Sequence, residues 1–272
     1  MDRRSATWPL AEPGSVAEGA PSAVTAVNEG GASPFVLLCE HASNRIPAAY
    51  AGLGLGPRDL GRHIAWDIGA ADLARGLSRR LDAPLFLSGY SRLLIDCNRP
   101  PGAPTSIPVR SEDTDIPGNL DLPAGERARR EAAYFAPFHA AVARLLDRRA
   151  AAGERTVVVG VHSFTPVFLG VARPWLAGVL YGRAERFGRA MVARLGSDLG
   201  SGAVGDNEPY RIEPEQHDYT VPVHGDARGL DAALLEVRQD LIATAAEADA
   251  WAARLAPVFA DVAGEVGAAG RR

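Results

Sequence analysis

Apolar residues along the chain fall into two alternating patterns. Phe35-Val36-Leu37-Leu38-Cys39 is a short unbroken apolar run, which suits a strand buried on both faces. From Asp67 the spacing becomes helical, with Ala70, Leu73, Ala74, Leu77 and Leu81 on one face. Asp82-Ala83-Pro84 stops that helix. Leu85-Phe86-Leu87 and Leu93-Leu94-Ile95 predict two more strands. Helical period returns with Tyr134, Phe138, Ala141, Val142 and Leu145, and Pro137 is expected to kink it. Thr156 to Val161 is the clearest buried strand, followed by Gly178 to Tyr181 and a helix near Ala184 to Leu195. Ala232 to Val237 predicts a last strand. Leu241, Ala245, Ala248, Ala252, Leu255 and Phe259 then share the face of a final helix.

Strands alternating with helices predict an α/β fold: a single three-layer domain whose mixed, largely parallel central sheet is flanked by helices. Residues 1–33 are rich in Ala, Gly, Pro, Ser and Glu without hydrophobic period, and read as a flexible tail before a domain spanning 34–272. Two long stretches resist assignment. Pro100 to Pro123 holds too many prolines for a helix interior or a central strand. Residues 201–230 form a second polar loop. Loops of this length in a compact domain are usually functional or disordered.

Composition narrows the chemistry. With 47% hydrophobic and 23% charged residues among 272, the chain can build a sizeable core. Its net charge of -4 argues against a globally basic nucleic-acid binder. All 29 basic residues are arginine, which excludes a lysine Schiff base, a lysine nucleophile and a P-loop lysine. Cys39 and Cys97 cannot build a zinc ribbon and read as buried thiols. Arg3 and Arg4 are followed by Trp8, Pro9, Glu12 and Pro13, which interrupt any export signal, and no run is long enough to span a membrane. A cytoplasmic protein with neither nucleic-acid nor membrane partners is expected.

Candidate chemistry gathers at strand ends and at a helix start, where ligand sites of open α/β sheets collect. Glu40-His41-Ala42-Ser43-Asn44 follows the first strand, Asp67 opens a helix, His162-Ser163 follows the central strand, and Glu236-Val237-Arg238 ends the last. Two histidines and a carboxylate from separate elements are what an open zinc site needs. His41, Asp67 and His162 are the candidate ligands, with His63 an alternative for the third position, and Glu236 is the candidate base. The competing reading makes each histidine a hydrogen-bonded rim residue. Asp96-Cys97-Asn98-Arg99 offers a planar guanidinium and an amide for a substrate carboxylate. A structural Asp–Arg pair closing a turn is its plainer alternative.

Taken together, these segments, with Ala65-Trp66-Asp67-Ile68-Gly69-Ala70 and Leu235-Glu236-Val237-Arg238-Gln239-Asp240-Leu241, resemble the N-formylglutamate amidohydrolase family. The resemblance runs from about Pro34 to Leu241. It implies a fold similar to zinc carboxypeptidases, aspartoacylase and zinc N-acetylmuramoyl-L-alanine amidases. The last of these use a His, an acidic residue, a second His and a late Glu in the same chain order as His41, Asp67, His162 and Glu236. Carboxypeptidase-type sites take a Glu three residues after the first His, where this chain has Asn44. Asp67 is therefore the expected carboxylate ligand. The resemblance implies hydrolysis of a small anionic N-acyl amino acid, N-formyl-L-glutamate first among them, with Zn2+ or another divalent ion. Arg99 and Asn98 would hold the α-carboxylate, and Arg92, Arg238 or Arg110 a second one. His224, Ser43 and Asn44 complete the candidate substrate contacts. Deacylation of other N-acyl amino acids, cleavage of a peptidoglycan amide, and non-catalytic binding of an anionic metabolite are the competing functions. Oligomeric state is left open.

Overall fold

The computed structural model describes residues 22–214 and 217–269. In chain order these form β1 (Val24–Val27), β2 (Phe35–Cys39), α1 (Pro57–Leu60), α2 (Ala70–Leu81), β3 (Leu85–Ser88), the β4–β5 hairpin (Arg110–Ser111, Thr114–Asp115), α3 (Glu126–Arg130) and α4 (Ala136–Ala151). There follow β6 (Val157–Phe164), the β7–β8 hairpin (Val167–Phe168, Val171–Ala172), β9 (Ala177–Leu180), α5 (Glu185–Leu199), β10 (Val204–Asp206), β11 (Asp231–Arg238) and α6 (Ala245–Ala269). The main sheet has seven strands in the order β1-β3-β2-β6-β11-β9-β10. β3, β2, β6 and β11 run parallel, while β1 and β9 pair antiparallel at either side of that block. The architecture is the mixed, mostly parallel α/β sheet that the alternation of elements predicts. Among the described residues, no helix is long and apolar enough to cross a membrane.

Side chains alternate across each strand, and this decides what covers the sheet. Phe35 and Leu37 of β2, Val157 and Val159 of β6, and Leu235 of β11 face α2, α5 and α6. Val36, Leu38, Val158 and Leu234 face the opposite way, onto Phe138, Val142 and Leu145 of α4. The predicted helical stripe Ala70, Leu73, Ala74 and Leu77 is fully buried in the first layer. Burying a side chain of this size contributes about 1.5–3 kcal/mol, so each strand face is strongly specified.

Three expectations need correction. Leu93-Leu94-Ile95 is buried but is no strand; the backbone turns, with the Leu94 N–H donating to Ser91 O at 3.0 Å. Leu93 and Leu94 pack with Leu53, Ile64 and Tyr90 in a cluster of their own. An apolar run reports burial, and here the burial comes from loops packed on loops. The tail expected over 1–33 does not hold from Val24 onward, because β1 pairs with β3 through residues 24–27; residues 1–21 lie outside the described residues. Finally, β6 runs three residues past Val161, so His162 and Ser163 belong to the strand. Pro137 falls near the start of α4, just after a wide turn over Glu131–Phe135. The backbone stays helical from α3 through that turn into α4, and the local widening accommodates the missing N–H of Pro137.

The proline-rich loop is pinned by one buried guanidinium. Arg130 Nε donates to Glu126 Oε1 at 2.8 Å, and its Nη1 donates to Asn119 Oδ1 at 2.7 Å and Leu94 O at 3.1 Å. Asn119 Nδ2 in turn donates to Leu93 O and Pro108 O. Arg130→Leu should cost about 1–3 kcal/mol, since Glu126 Oε1 and Asn119 Oδ1 lose their donor in the interior while Arg129 still holds Glu126 Oε2. Urea unfolding measures this, and an unchanged midpoint would refute the anchoring role.

α4 is also tied to the loop before β11. His139 Nδ1 and His224 Nε2 are 2.9 Å apart, and His139 Nε2 donates to Cys97 O at 2.8 Å. Burial lowers His139 to about 4; burial, aided by His139 and Arg228, lowers His224 to about 3. Both rings are thus neutral in the folded state. Their contribution is complete above the unfolded value of about 6.5 and is lost as pH falls toward the depressed values. In His224→Phe the fall of stability below pH 6.5 should be shallower by about one proton, read from unfolding midpoints across pH.

Candidate metal centre

The chain leaves β2, crosses through α2 to β3 on one side, and later places β6 on the other side of β2. That reversal falls at the carboxyl ends of β2 and β6, the usual ligand position in such sheets. The strand pattern changes character there. On the face covered by α4, Val36 and Leu38 give way to Glu40, Val158 to His162, and Leu234 to Glu236. All three polar residues are buried. Glu236 stands directly opposite His162 in the β6–β11 register.

His41 follows β2, and its carbonyl accepts the Asp67 N–H at 3.0 Å, which ties the two backbones together. Asp67 precedes α2 by three residues rather than opening its first turn. Gly69, at φ +79°, makes the bend between them; a Cβ there would sit 1.9 Å from Ile242 O. The Ser163 hydroxyl donates to Ile68 O at 2.8 Å and secures the bend to β6. As a result Asp67 Oδ2 lies 3.2 Å from His41 Nδ1 and 2.8 Å from His162 Nδ1. One ligand atom from each of His41, Asp67 and His162 falls within 4.8 Å of the others.

The far side of each imidazole is engaged as well. His41 Nε2 lies 2.7 Å from Asp96 Oδ1. His162 Nε2 is 3.1 Å from Glu40 Oε2 but off the hydrogen-bonding angle, so both atoms are without a hydrogen-bond partner. Thr220 donates its hydroxyl proton to Glu40 Oε1. Arg92 spans Asp96 at 2.8 Å and Asp67 at 3.4 Å. Carboxylates behind the histidines hold each ring with Nδ1 toward the other ligands, the arrangement that orients imidazole on a metal.

Charge balance supports the same assignment. Burial would raise Asp67 and Asp96, but His41 and His162 hold Asp67, and Arg92 and His41 hold Asp96, well below the usual carboxylate range. Burial likewise opposes Glu40, yet His162 and Thr220 bring it to about 2. Burial works against charge on His162, and Asp67 and Glu40 outweigh it, raising the ring well above the ordinary histidine value. Burial, reinforced by Asp67, raises Glu236 to about 7 against the pull of His162, His41 and Arg92. Its Oε2 is buried without a partner. Ionised Glu40, Asp67 and Asp96 outnumber the Arg92 cation, so a divalent ion bound by His41, Asp67 and His162 fits both the donor set and the charge.

The other candidates lie elsewhere. His63 Nε2 is 3.2 Å from Glu112 Oε2 on the β4–β5 hairpin and is not part of the ligand cluster. Ser43 Oγ accepts the Arg45 N–H, and Asn44 Nδ2 donates to Leu60 O at the end of α1. Asn98 Oδ1 accepts the N–H groups of Tyr219 and Thr220, at 3.1 and 2.9 Å. It builds the turn that brings Thr220 to Glu40, and its Nδ2 lies 3.4 Å from Asp218 Oδ1. Arg99 Nη1 donates to the carbonyls of Asn98 and His217. Arg238 is clamped by Asp240, and Arg110 by Asp115 within its own hairpin. His224 is buried against His139.

Three partners escaped the sequence reading. Asp96 pairs with Arg92 rather than with Arg99 of its own motif, and it also holds His41. Glu40 holds His162, and its place on the α4 face of β2 was available from strand alternation. Thr220, far along the chain in a polar loop, left no local signal.

The family model for N-formylglutamate amidohydrolases matches residues 33–243. A gene product of Agrobacterium tumefaciens, known from its crystal structure, is 40% identical at a TM-score of 0.86, covering 91% of this chain and 97% of that one. An N-formylglutamate amidohydrolase from Ralstonia eutropha, 20% identical, superposes at a TM-score of 0.58 over 87% of this chain and 98% of its own, and so shares the fold. No curated protein matches the sequence. With most of its length inside the family match, the chain belongs to the N-formylglutamate amidohydrolase family.

Proposed function

We propose that the protein is a zinc-dependent hydrolase that cleaves N-formyl-L-glutamate to formate and L-glutamate. The observation that carries this reading is the convergence of His41, Asp67 and His162 within 4.8 Å, with Glu236 paired opposite His162. Membership of the amidohydrolase family supports the reaction class. The nitrogen and oxygen ligand set suits zinc and also accepts other divalent ions. When bound, such an ion supplies Lewis acidity to the scissile carbonyl and to water.

This chain's own residues do the rest. Asp96 and Glu40 keep the two imidazoles oriented. Glu236, raised to about 7 by burial and Asp67, exchanges a proton readily near neutral pH. Its Oε2 takes a proton from the attacking water and returns it to the amide nitrogen as the C–N bond breaks. Arg99, held among the described residues by backbone carbonyls rather than by a carboxylate, offers its charge to the α-carboxylate of the substrate. The buried walls around Glu40, His162 and Glu236 exclude bulk water, which strengthens each of these interactions.

The zinc-repleted protein should hydrolyse N-formyl-L-glutamate with higher kcat/KM than N-acetyl- or N-carbamoyl-L-glutamate, and a chelator should abolish turnover. Preference for another acyl group would overturn the substrate, and full activity after complete metal removal would overturn the metal. Glu236→Gln should retain stoichiometric zinc while kcat drops about a hundred- to ten-thousand-fold; a wild-type rate would remove Glu236 from the chemistry. Asp96→Asn should weaken zinc binding about 10- to 100-fold, measured by competition with a chromogenic chelator.

A further inference from the structure

A dicarboxylic substrate needs a second cation, and the expected candidates are committed elsewhere. Arg92 is shared between Asp96 and Asp67, Arg238 is chelated by Asp240, and Arg110 is tied to Asp115. Arg173, directly after the β7–β8 hairpin, is differently placed. Its guanidinium carbon lies 4.6 Å from the ring centre of Tyr210, 4.7 Å from that of Phe168 and 5.9 Å from that of Phe164. Its Nη1 donates to the Tyr210 hydroxyl at 2.8 Å. Among the described residues no carboxylate pairs with it. Aromatic faces hold a guanidinium in position without neutralising its charge.

The fold brings this cluster to the rim of the metal centre by two routes. Phe164 lies two residues beyond His162 on β6, and so on the same face of the sheet. Gly178 on β9 stands opposite Glu236 in the register. A Cβ at Gly178 would be 2.0 Å from Glu208 O and 3.4 Å from Pro209 Cδ. The bare glycine therefore lets the 208–210 segment lie directly over the sheet and sets Tyr210 beside Glu236. The Glu236 charge acts on the Tyr210 phenol, as do those of Arg173 and Arg92. Because that hydroxyl accepts from Arg173, its own proton is free to be donated.

We propose that Arg173, seated among Phe164, Phe168 and Tyr210, binds the side-chain carboxylate of a dicarboxylic N-acyl amino acid, with the Tyr210 hydroxyl as a second donor. This assignment rests on the amidohydrolase reading and makes Arg173 the residue that selects acidic over neutral substrates. A guanidinium pairs with a carboxylate through parallel N–H donors, whereas an uncharged amide offers it one weaker acceptor.

The test compares N-formyl-L-glutamate with N-formyl-L-glutamine on the zinc-loaded full chain. In Arg173→Met the ratio of their kcat/KM values should fall about 10- to 100-fold, mainly through KM for the glutamate substrate. Arg173→Lys should recover part of the ratio, and Tyr210→Phe should lower it by a smaller factor. An unchanged ratio, or an equal loss on both substrates, would overturn the proposal and leave Arg173 as a prop for the hairpin. Calorimetric titration with N-acetyl-L-glutamate and N-acetyl-L-glutamine separates the two readings. If the wild-type protein hydrolyses neither formyl substrate but binds the acidic ligand in an Arg173-dependent way, the anion site stands and the hydrolase reading falls. Equal binding of the acidic ligand by wild type and Arg173→Met removes the anion site whatever the activity.

Discussion

Negative charge buried at the carboxyl edge of the sheet is the constraint to which the surrounding structure answers. Glu40, Asp67, Asp96 and Glu236 are all nearly inaccessible to solvent. Carboxylates in that position are tolerated only when each is matched by a cation or a set of donors. Arg92 meets two of them, the imidazoles meet three, and Thr220 serves Glu40. His41, Asp67, Arg92 and Asp96 close into a ring of charge-assisted contacts. Glu236 is the member left short of partners, and its raised affinity for a proton follows from that shortage. The group with the least support is the one best suited to moving a proton.

Much of the frame was legible because the sheet is buried on both faces. Five consecutive apolar residues at Phe35–Cys39 can hardly be anything but an interior strand, and the stripe from Ala70 to Leu81 has one face to bury. The convergence of His41, Asp67 and His162 was legible for a related reason. Polar residues that end or follow such strands, as His162 and His41 do, lie at the sheet's end, where ligand sites of parallel sheets collect. Leu93-Leu94-Ile95 failed as a strand because nothing in a three-residue apolar run distinguishes pairing in the sheet from packing under a loop. β1 was missed because its residues are only partly buried at the edge of the sheet, so Val24 to Val27 carries no strong hydrophobic pattern.

Loops hid the remainder. Within 201–230, Tyr210 reaches the rim of the site, Thr220 reaches Glu40, and His224 reaches α4. No period links these residues, because each is placed by a different long-range contact. Asn98 shows the limit most clearly. Nothing in its sequence context announced that its Oδ1 accepts from the backbone of Tyr219 and Thr220 more than a hundred positions away. The long proline-rich segment likewise owes its order to Arg130, one of two buried arginines among the described residues, which no local pattern marks.

The seam between β2 and β6 has a further consequence. Their register ends at Leu38 opposite Gly160, and above that point the two strands carry His41 and His162 apart from ladder pairing. His41 and Asp67 are joined through their backbones, and Ser163 ties the Asp67 bend to the strand that carries His162. An ion gripped by all three would rivet the two halves of the sheet across their open end. Its escape would then require the strands to splay, so residence time would follow the rigidity of the scaffold more than the strength of any one coordinating atom.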